Sequence, residues 1–289
     1  MPLCSDGSWR EFAPAKLNLY LHITGRRADG YHELDSLIAF ADIGDTLTLR
    51  PAEGPSLSLG GPFAAGLSSG PDNLALRALL ALADAAGHKP DVAIHLEKRL
   101  PIASGIGGGS ADAAAVLRGL AGLWGLASDD PRPMAVATAL GADVPVCLAG
   151  RPAVVGGIGE VLKPAPALPA APVVLVNPGL PLSTPAVFKA RSGGFSAPVA
   201  LLEPLDDVDA LAAALALSRN MLTTPATTLV PEINTVVDSL AQQPGCLIAR
   251  MSGSGATCFG LFADDAQAQA AAARLARAPW WTAVGRLTP

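Results

Sequence analysis

An α+β architecture is what this sequence predicts, on three observations. Residues 12–23, FAPAKLNLYLHI, alternate strictly: Ala13, Ala15, Leu17, Leu19, Leu21 and Ile23 are apolar, while Lys16, Asn18, Tyr20 and His22 share the other face. That is the period of a half-buried strand. Further strand-like segments come in a run, at 34–41, 45–50, 92–97 and 153–155, rather than one after each helix. Runs of strands favour segregated layers over an alternating parallel sheet. Finally, DNLALRALLALADAAG reads as a capped helix, with Asp72 as N-cap and Gly87 as stop.

Helices follow at 110–123 and 132–140, and then the Pro-rich KPAPALPAAP, residues 163–172, reads as a connector. We therefore expect two domains, 1–162 and 163–289. The second begins with an apolar strand, VVLVN, and continues with helices at 184–190, 206–217 and 231–241. A strand at 246–250, a Gly-rich turn, a strand at 256–262, a helix at 264–276 and a last strand complete it. There is no internal repeat.

Composition narrows the function classes. Half of the 289 residues are hydrophobic and 16% are charged, which is ordinary for a globular protein with a core of Ala, Leu and Val. A net charge of −5 argues against nucleic acid or an anionic membrane as partner, so an anionic ligand needs a local positive pocket. The cysteines, Cys4, Cys147, Cys246 and Cys258, show no metal spacing, and the four histidines include no HExxH. Reduced thiols and a cytoplasmic location are expected. The amino terminus has no signal-peptide pattern, and its first several residues are expected to be loose. The longest uncharged stretch, between Lys163 and Lys189, holds seven prolines and cannot be a membrane helix.

The densest chemical signal is PIASGIGGGSADAAAV, residues 101–116. A Walker loop would end in Gly-Lys-Ser/Thr, and this one ends in GGGSAD. A dinucleotide loop should follow a fully buried strand, whereas DVAIHLEKRLP alternates Val92, Ile94 and Leu96 with Ala93, His95 and Glu97, and Pro101 interrupts the junction. Its expected acidic partner would fall at Asp129 or Asp130, in a turn beside Pro131. The third design is a bare backbone wrapping an anion at the N-terminus of a helix starting near Ser110, with Ala111, Ala113, Ala114 and Ala115 allowing close packing behind it. A flexible turn without a ligand is the alternative.

PIASGIGGGSADAA resembles the second motif of the GHMP kinases, the family of galactokinase, homoserine kinase, mevalonate kinase and phosphomevalonate kinase. PAKLNLYLHITGRRADGYHELDSLIAFADIGDTL (14–47), ALGADVP (139–145) and ARMSGSGATCFGLF (249–262) are similar, in the expected order, to a branch of that family that acts in the non-mevalonate isoprenoid route. The resemblance implies a two-domain GHMP kinase fold, with an N-terminal ribosomal-protein-S5-like domain that carries ATP and a C-terminal ferredoxin-like domain. The implied reaction is ATP-dependent phosphorylation of the 2-hydroxyl of 4-diphosphocytidyl-2-C-methyl-D-erythritol, with Mg²⁺ accompanying ATP.

By resemblance Lys16 neutralises charge near the acceptor oxygen, Asp143 is the general base, and Asn18 orients the substrate. Lys16 and Asn18, two apart on one strand face, project side chains roughly 7 Å apart. Pro101, Gly105, Ile106, Gly107, Gly108, Gly109, Ser110 and Ala111 form the phosphate loop. Asn73 and Lys98 lie where the family contacts the nucleotide, although Asn73 also suits a first helical turn and Lys98 a solvated strand end. GRRADGYHEL reads as a polar hairpin with a DG turn. The resemblance puts Tyr31 and His32 at the cytidine end, with Phe188 as a second aromatic or as helix core. Gly253, Ser254 and Gly255 stand beside the phosphate loop or simply connect two strands. The chain departs from the family at SRNMLTTP, where an acidic residue usually follows the Asn and Met221 stands instead, which weakens any role for Asn220. Competing expectations are a GHMP kinase for another small alcohol and a nucleotide-binding homologue without catalysis. Both Lys16 and Asp143 are present, which speaks against the latter.

Overall fold

The computed structural model describes residues 7–200 and 205–289. The expectation of a loose amino terminus, and Cys4, lie outside the described residues. In chain order the elements are β1 (Trp9–Arg26), β2 (His32–Pro51), β3 (Ser56–Gly60), α1 (Leu74–Ala86), β4 (Val92–Glu97), α2 (Gly108–Leu123), α3 (Arg132–Leu140), α4 (Val144–Ala149), β5 (Ala153–Gly157) and β6 (Val161–Pro164). Then come β7 (Pro172–Asn177), α5 (Thr184–Ala190), α6 (Val208–Ala216), α7 (Thr223–Leu229), α8 (Glu232–Ala241), β8 (Cys246–Met251), β9 (Cys258–Phe262), α9 (Asp265–Leu275) and β10 (Trp281–Thr288). The mixed, run-of-strands class expected from sequence is the one observed.

The chain forms two compact units, and neither is continuous in sequence. One contains residues 7–15, 44–102 and 107–150; the other contains 16–43, 103–106 and the described part of 151–289. Contacts thus group the chain otherwise than the single cut expected near residue 163. Strands β1 and β2 each give residues to both units, and the Pro-rich segment is no linker. Leu168 and Ala171 within it are buried, and the Ala171 carbonyl accepts the Leu287 N–H at 2.8 Å.

In the first unit β3 runs parallel to β4, which pairs antiparallel with the second half of β2. Val92, Ile94 and Leu96 point into the core beside Leu47 and Leu49, as the alternation of β4 requires. Helices α1 and α2 supply Ala78, Leu79, Leu82, Ala113 and Leu117 to the same core. Gly44, where two strands were expected to part, lies inside one long β2. A Cβ there would stand 2.3 Å from the Ala13 carbonyl, so this glycine permits a close crossing of β1 rather than a break. Helix α1 is capped by Asn73, whose Oδ1 accepts the Ala75 N–H, while Asp72 accepts the Ser68 hydroxyl. The expected Asp72 cap is thus corrected by one residue; Gly87 ends the helix with φ +68°, as anticipated.

In the second unit β7 is buried along its whole length, between antiparallel β10 and β9, and β8 follows β9. The first half of β2 pairs with β5, and β5 with β6. Leu21, Ile23, Val174, Val176, Ile233, Val236, Leu240 and Phe262 form the core between these strands and the helices. The β1–β2 connection is the hairpin read from the DG signal, with Gly30 at φ +93° and the Arg27 N–H donating to the Tyr31 carbonyl at 2.7 Å.

Candidate active site

Strand β1 was expected to leave its polar face in water, and it does not. Lys16, Asn18, Tyr20 and His22 are 4, 5, 0 and 9% exposed. Buried polar groups need partners, and Lys16, Asn18 and His22 find theirs within the row or on other segments. Lys16 Nζ donates to Asn18 Oδ1 at 2.9 Å, and Asn18 Nδ2 donates to Ser36 Oγ at 2.8 Å. Ser36 in turn donates to the Tyr20 carbonyl at 2.5 Å. This chain fixes the Asn18 amide, which then fixes the ammonium of Lys16. His22 accepts the Arg219 N–H on Nε2 at 3.2 Å and meets Ser196 Oγ through Nδ1 at 3.0 Å. Burial holds its pKa below the ordinary value, and a neutral ring fits that acceptor role.

A third motif, ARMSGSGATCFGLF at 249–262, folds directly onto the glycine loop at 104–106. Ser252 Oγ accepts the Asn18 N–H and donates to the Gly105 carbonyl, both at 3.1 Å. The Thr257 N–H reaches the Ser104 carbonyl and the Lys16 N–H the Ile106 carbonyl, each at 3.0 Å. The backbones are too close for side chains: a Cβ on Gly105 would lie 2.6 Å from the Gly255 carbonyl oxygen, and one on Gly253 2.8 Å from that of Gly105. Lys16, Asn18, Gly105, Ile106, Gly253 and Gly255 are thus one cluster. Ser254, between the two glycines, meets Thr184 at the start of α5, hydroxyl to hydroxyl at 2.7 Å.

A second group lies at the hairpin. The rings of His32 and Phe188 stack, with centroids 5.3 Å apart and an angle of 27°, and Tyr31 is 61% exposed beside them. Phe188 also packs on the apolar core, as its helix-core reading expects. Burial lowers the pKa of His32, and the charges of Arg191 and Arg26 lower it further. Two cations beside exposed aromatic faces suit an anionic, flat ligand.

In the first unit α2 starts at Gly108, two residues earlier than expected. Gly107 is its N-cap, with φ +64° and no side-chain capping bond, so Gly108 and Gly109 expose the first-turn N–H groups without a Cβ over them. Ser110 follows in the same turn, and Ala111 is buried behind it. The start of α1 lies alongside, since a Cβ on Gly109 would meet Leu74 at 3.6 Å, which brings Asn73 into the neighbourhood. Pro101 is buried before the loop. Lys98 departs from expectation: its ammonium is not at the surface but 2.6 Å from both Asp45 and Asp112, with 3% of the side chain exposed. Asp143 occupies the N-cap position of α4, yet its carboxylate does not cap that helix.

Sequence reading missed several supporting residues. Ser36, Ser252, Thr184, Asp45 and Asp112 carry no local signal, because their partners lie 14 to 234 residues away. Asn220, discounted because of Met221, donates to the Met251 and Gly253 carbonyls at 2.8 Å each and so holds the third motif in shape. Met221 takes another post: its sulfur accepts the Ile23 N–H at 3.2 Å. Among the described residues Cys147, Cys246 and Cys258 are unbridged, no group of three metal-binding side chains occurs, and no helix is long and apolar enough to cross a membrane.

A bare loop feeding a helix N-terminus, with a buried lysine and a second glycine motif on its flank, defines a phosphoryl-transfer enzyme of one architecture. Residues 73–151 match the GHMP kinases N terminal domain, and residues 192–280 match GHMP kinases C terminal. The chain belongs to the GHMP kinase family. Two relatives carry the name 4-diphosphocytidyl-2-C-methyl-D-erythritol kinase. That of Paramagnetospirillum magneticum is 56% identical over 277 residues, 95% of this chain and 97% of its own. That of Rhodospirillum rubrum is 53% identical over 279 residues, 96% and 92%. A crystal structure of 4-(cytidine 5'-diphospho)-2C-methyl-D-erythritol kinase superposes with a TM-score of 0.80 at 40% identity, covering 97% of this chain and 99% of that one. The family branch expected from the motifs is borne out, and with it an enzyme that takes its phosphoryl group from ATP.

Proposed function

We propose that this enzyme transfers the γ-phosphoryl group of ATP to the 2-hydroxyl of 4-diphosphocytidyl-2-C-methyl-D-erythritol, giving the 2-phosphate and ADP. The near-full-length similarity to relatives of that name supports the acceptor, and the observation that carries it at residue level is the aromatic and cationic group of Tyr31, His32, Phe188, Arg26 and Arg191. A cytosine ring offers a face for the aromatics and an edge for a neutral imidazole, and its diphosphate answers the two arginines.

The triphosphate docks at residues 105–111, where the helix dipole and bare N–H groups favour negative charge. Asn73 borders the nucleotide. Lys98, committed to two carboxylates, is better suited to supporting that site than to reaching into it. Asp143 accepts the proton of the acceptor hydroxyl while Lys16 neutralises charge on the attacking oxygen, and Asn18 holds Lys16 and the hydroxyl in register. Gly253, Ser254 and Gly255 back the loop on the acceptor side. Mg²⁺ would accompany the nucleotide, with phosphate oxygens and water supplying most of its ligands and Ser110 a candidate from the chain. A small-molecule enzyme of this acidic composition works in the cytoplasm, without nucleic acid or membrane partners.

Competition binding tests the acceptor. CDP should displace a fluorescent cytidine nucleotide, while mevalonate and homoserine should not. No cytidine nucleotide binding at all would instead favour a GHMP kinase for another alcohol.

A further inference from the structure

A buried charge cluster lies under the first turns of α2, and the steps above give its carboxylates no part of their own. Lys98 stands between Asp45 and Asp112, and the three side chains are 3, 0 and 4% exposed. The free oxygen of Asp45 is satisfied by the Arg99 and Leu100 N–H groups at 2.5 and 2.8 Å. Oδ1 of Asp112 is buried and has no hydrogen-bond partner among the described residues. Two carboxylates thus share one ammonium, and only Asp45 has both oxygens accommodated. Full ionisation would leave a net negative charge in a low-dielectric site, a costly state that one proton on Asp112 relieves.

The cluster adjoins the phosphate loop. A Cβ on Gly108 would lie 3.0 Å from Lys98 Nζ, and Asp112 sits four residues, about one helical turn, further along α2. Elsewhere around it charge is spent or remote. On α1 Arg77 and Asp84 are exposed, and Arg132 of α3 pairs with Asp130. Helix α4 has no charged residue beyond Asp143 at its cap, and Arg118 of α2 pairs with Glu11. His95 and Glu97 of β4 and Arg50 of β2 face away from the core. Burial raises the Asp112 carboxyl to about 7, with Lys98 opposing and Asp45 adding.

We propose that Asp112 is a positioning residue for the nucleotide, holding a proton while phosphates occupy the α2 N-terminus and returning it to solvent when they leave. Above about pH 7 the cluster is then neutral beneath a bound nucleotide and carries one negative charge without it. The inference rests on residues 105–111 being the phosphate site. Binding an anion favours the protonated form, so nucleotide affinity falls as pH rises through the Asp112 titration.

Titration calorimetry with MgADP tests this. The unsubstituted enzyme should bind about tenfold more weakly at a pH near 8.5 than near 6.5, beyond the ligand's own titration, and Asp112→Asn should flatten that change to under about twofold. Titrations of the unsubstituted enzyme near pH 7.5, in buffers of different ionisation enthalpy, should show net proton uptake, a readout that does not depend on the variant folding. An unchanged pH dependence in D112N, or no proton uptake by the unsubstituted enzyme, overturns the inference alone. Absence of MgADP binding at every pH overturns the kinase reading and the inference with it.

Discussion

Lys16 is held in place before any substrate arrives, because Asn18, Ser36 and Ser252 leave its strand face no freedom to rearrange. In the proposed reaction, preorganised charge of this kind would lower the barrier without reorganisation at the moment of transfer. Asp143→Ala should therefore lower kcat by at least about 10²-fold while MgATP affinity stays within about twofold, as rapid-quench and binding measurements would show. Phe188→Ala should act differently, raising the acceptor KM about tenfold through lost stacking and leaving ATP binding alone. Lys16 and Asn18 were legible in sequence because a strand's period of two puts them on one face. Burial of that face was not, since alternation reports polarity and the partners Ser36 and Ser196 come from other segments. Asn220 was undervalued for the same reason: its work is with the Met251 and Gly253 carbonyls, far along the chain.

At the scale of elements, the phosphate loop and the third motif are two backbones in contact, and glycine is what lets them touch. Gly105→Ala must push a methyl against the Gly255 and Ser252 carbonyls from a left-handed backbone, so it should cost about 2 kcal/mol or more in denaturant unfolding and weaken nucleotide binding. Strand β8 is anchored by Arg250, which donates to the Leu19, Leu215 and Ser218 carbonyls and has its pKa lowered to about 10 by burial. Arg250→Ala strands those acceptors and should destabilise the protein by about 3 kcal/mol. Caps and periodicity made α1, β4, α3 and α9 legible. Helix α4 was hidden because VPVCLA is too short to show a helical period, and Gly44 misled because a glycine that admits a neighbouring strand looks like one that ends its own.

For the whole molecule, contacts follow β1 and β2 and make two discontinuous units, whereas composition marks only the proline-rich segment. The buried cluster also gives stability a pH dependence. Asp112 is protonated in the fold up to about pH 7 and ionised in the unfolded chain above about pH 4, so the native state binds the extra proton across that window. Stability should fall as pH rises from about 4 to 7, by an amount on the order of 3–4 kcal/mol, and then level off; in D112N that component should vanish from the melting curves. The claim that joins these scales is the reaction itself. The most direct measurement is ADP release, in a coupled assay, from purified protein with MgATP and 4-diphosphocytidyl-2-C-methyl-D-erythritol, beside mevalonate, homoserine and a control without acceptor. ADP that appears only with the cytidine acceptor is the predicted result. Release driven by mevalonate or homoserine, or no release from folded protein that binds MgATP, would contradict the assignment.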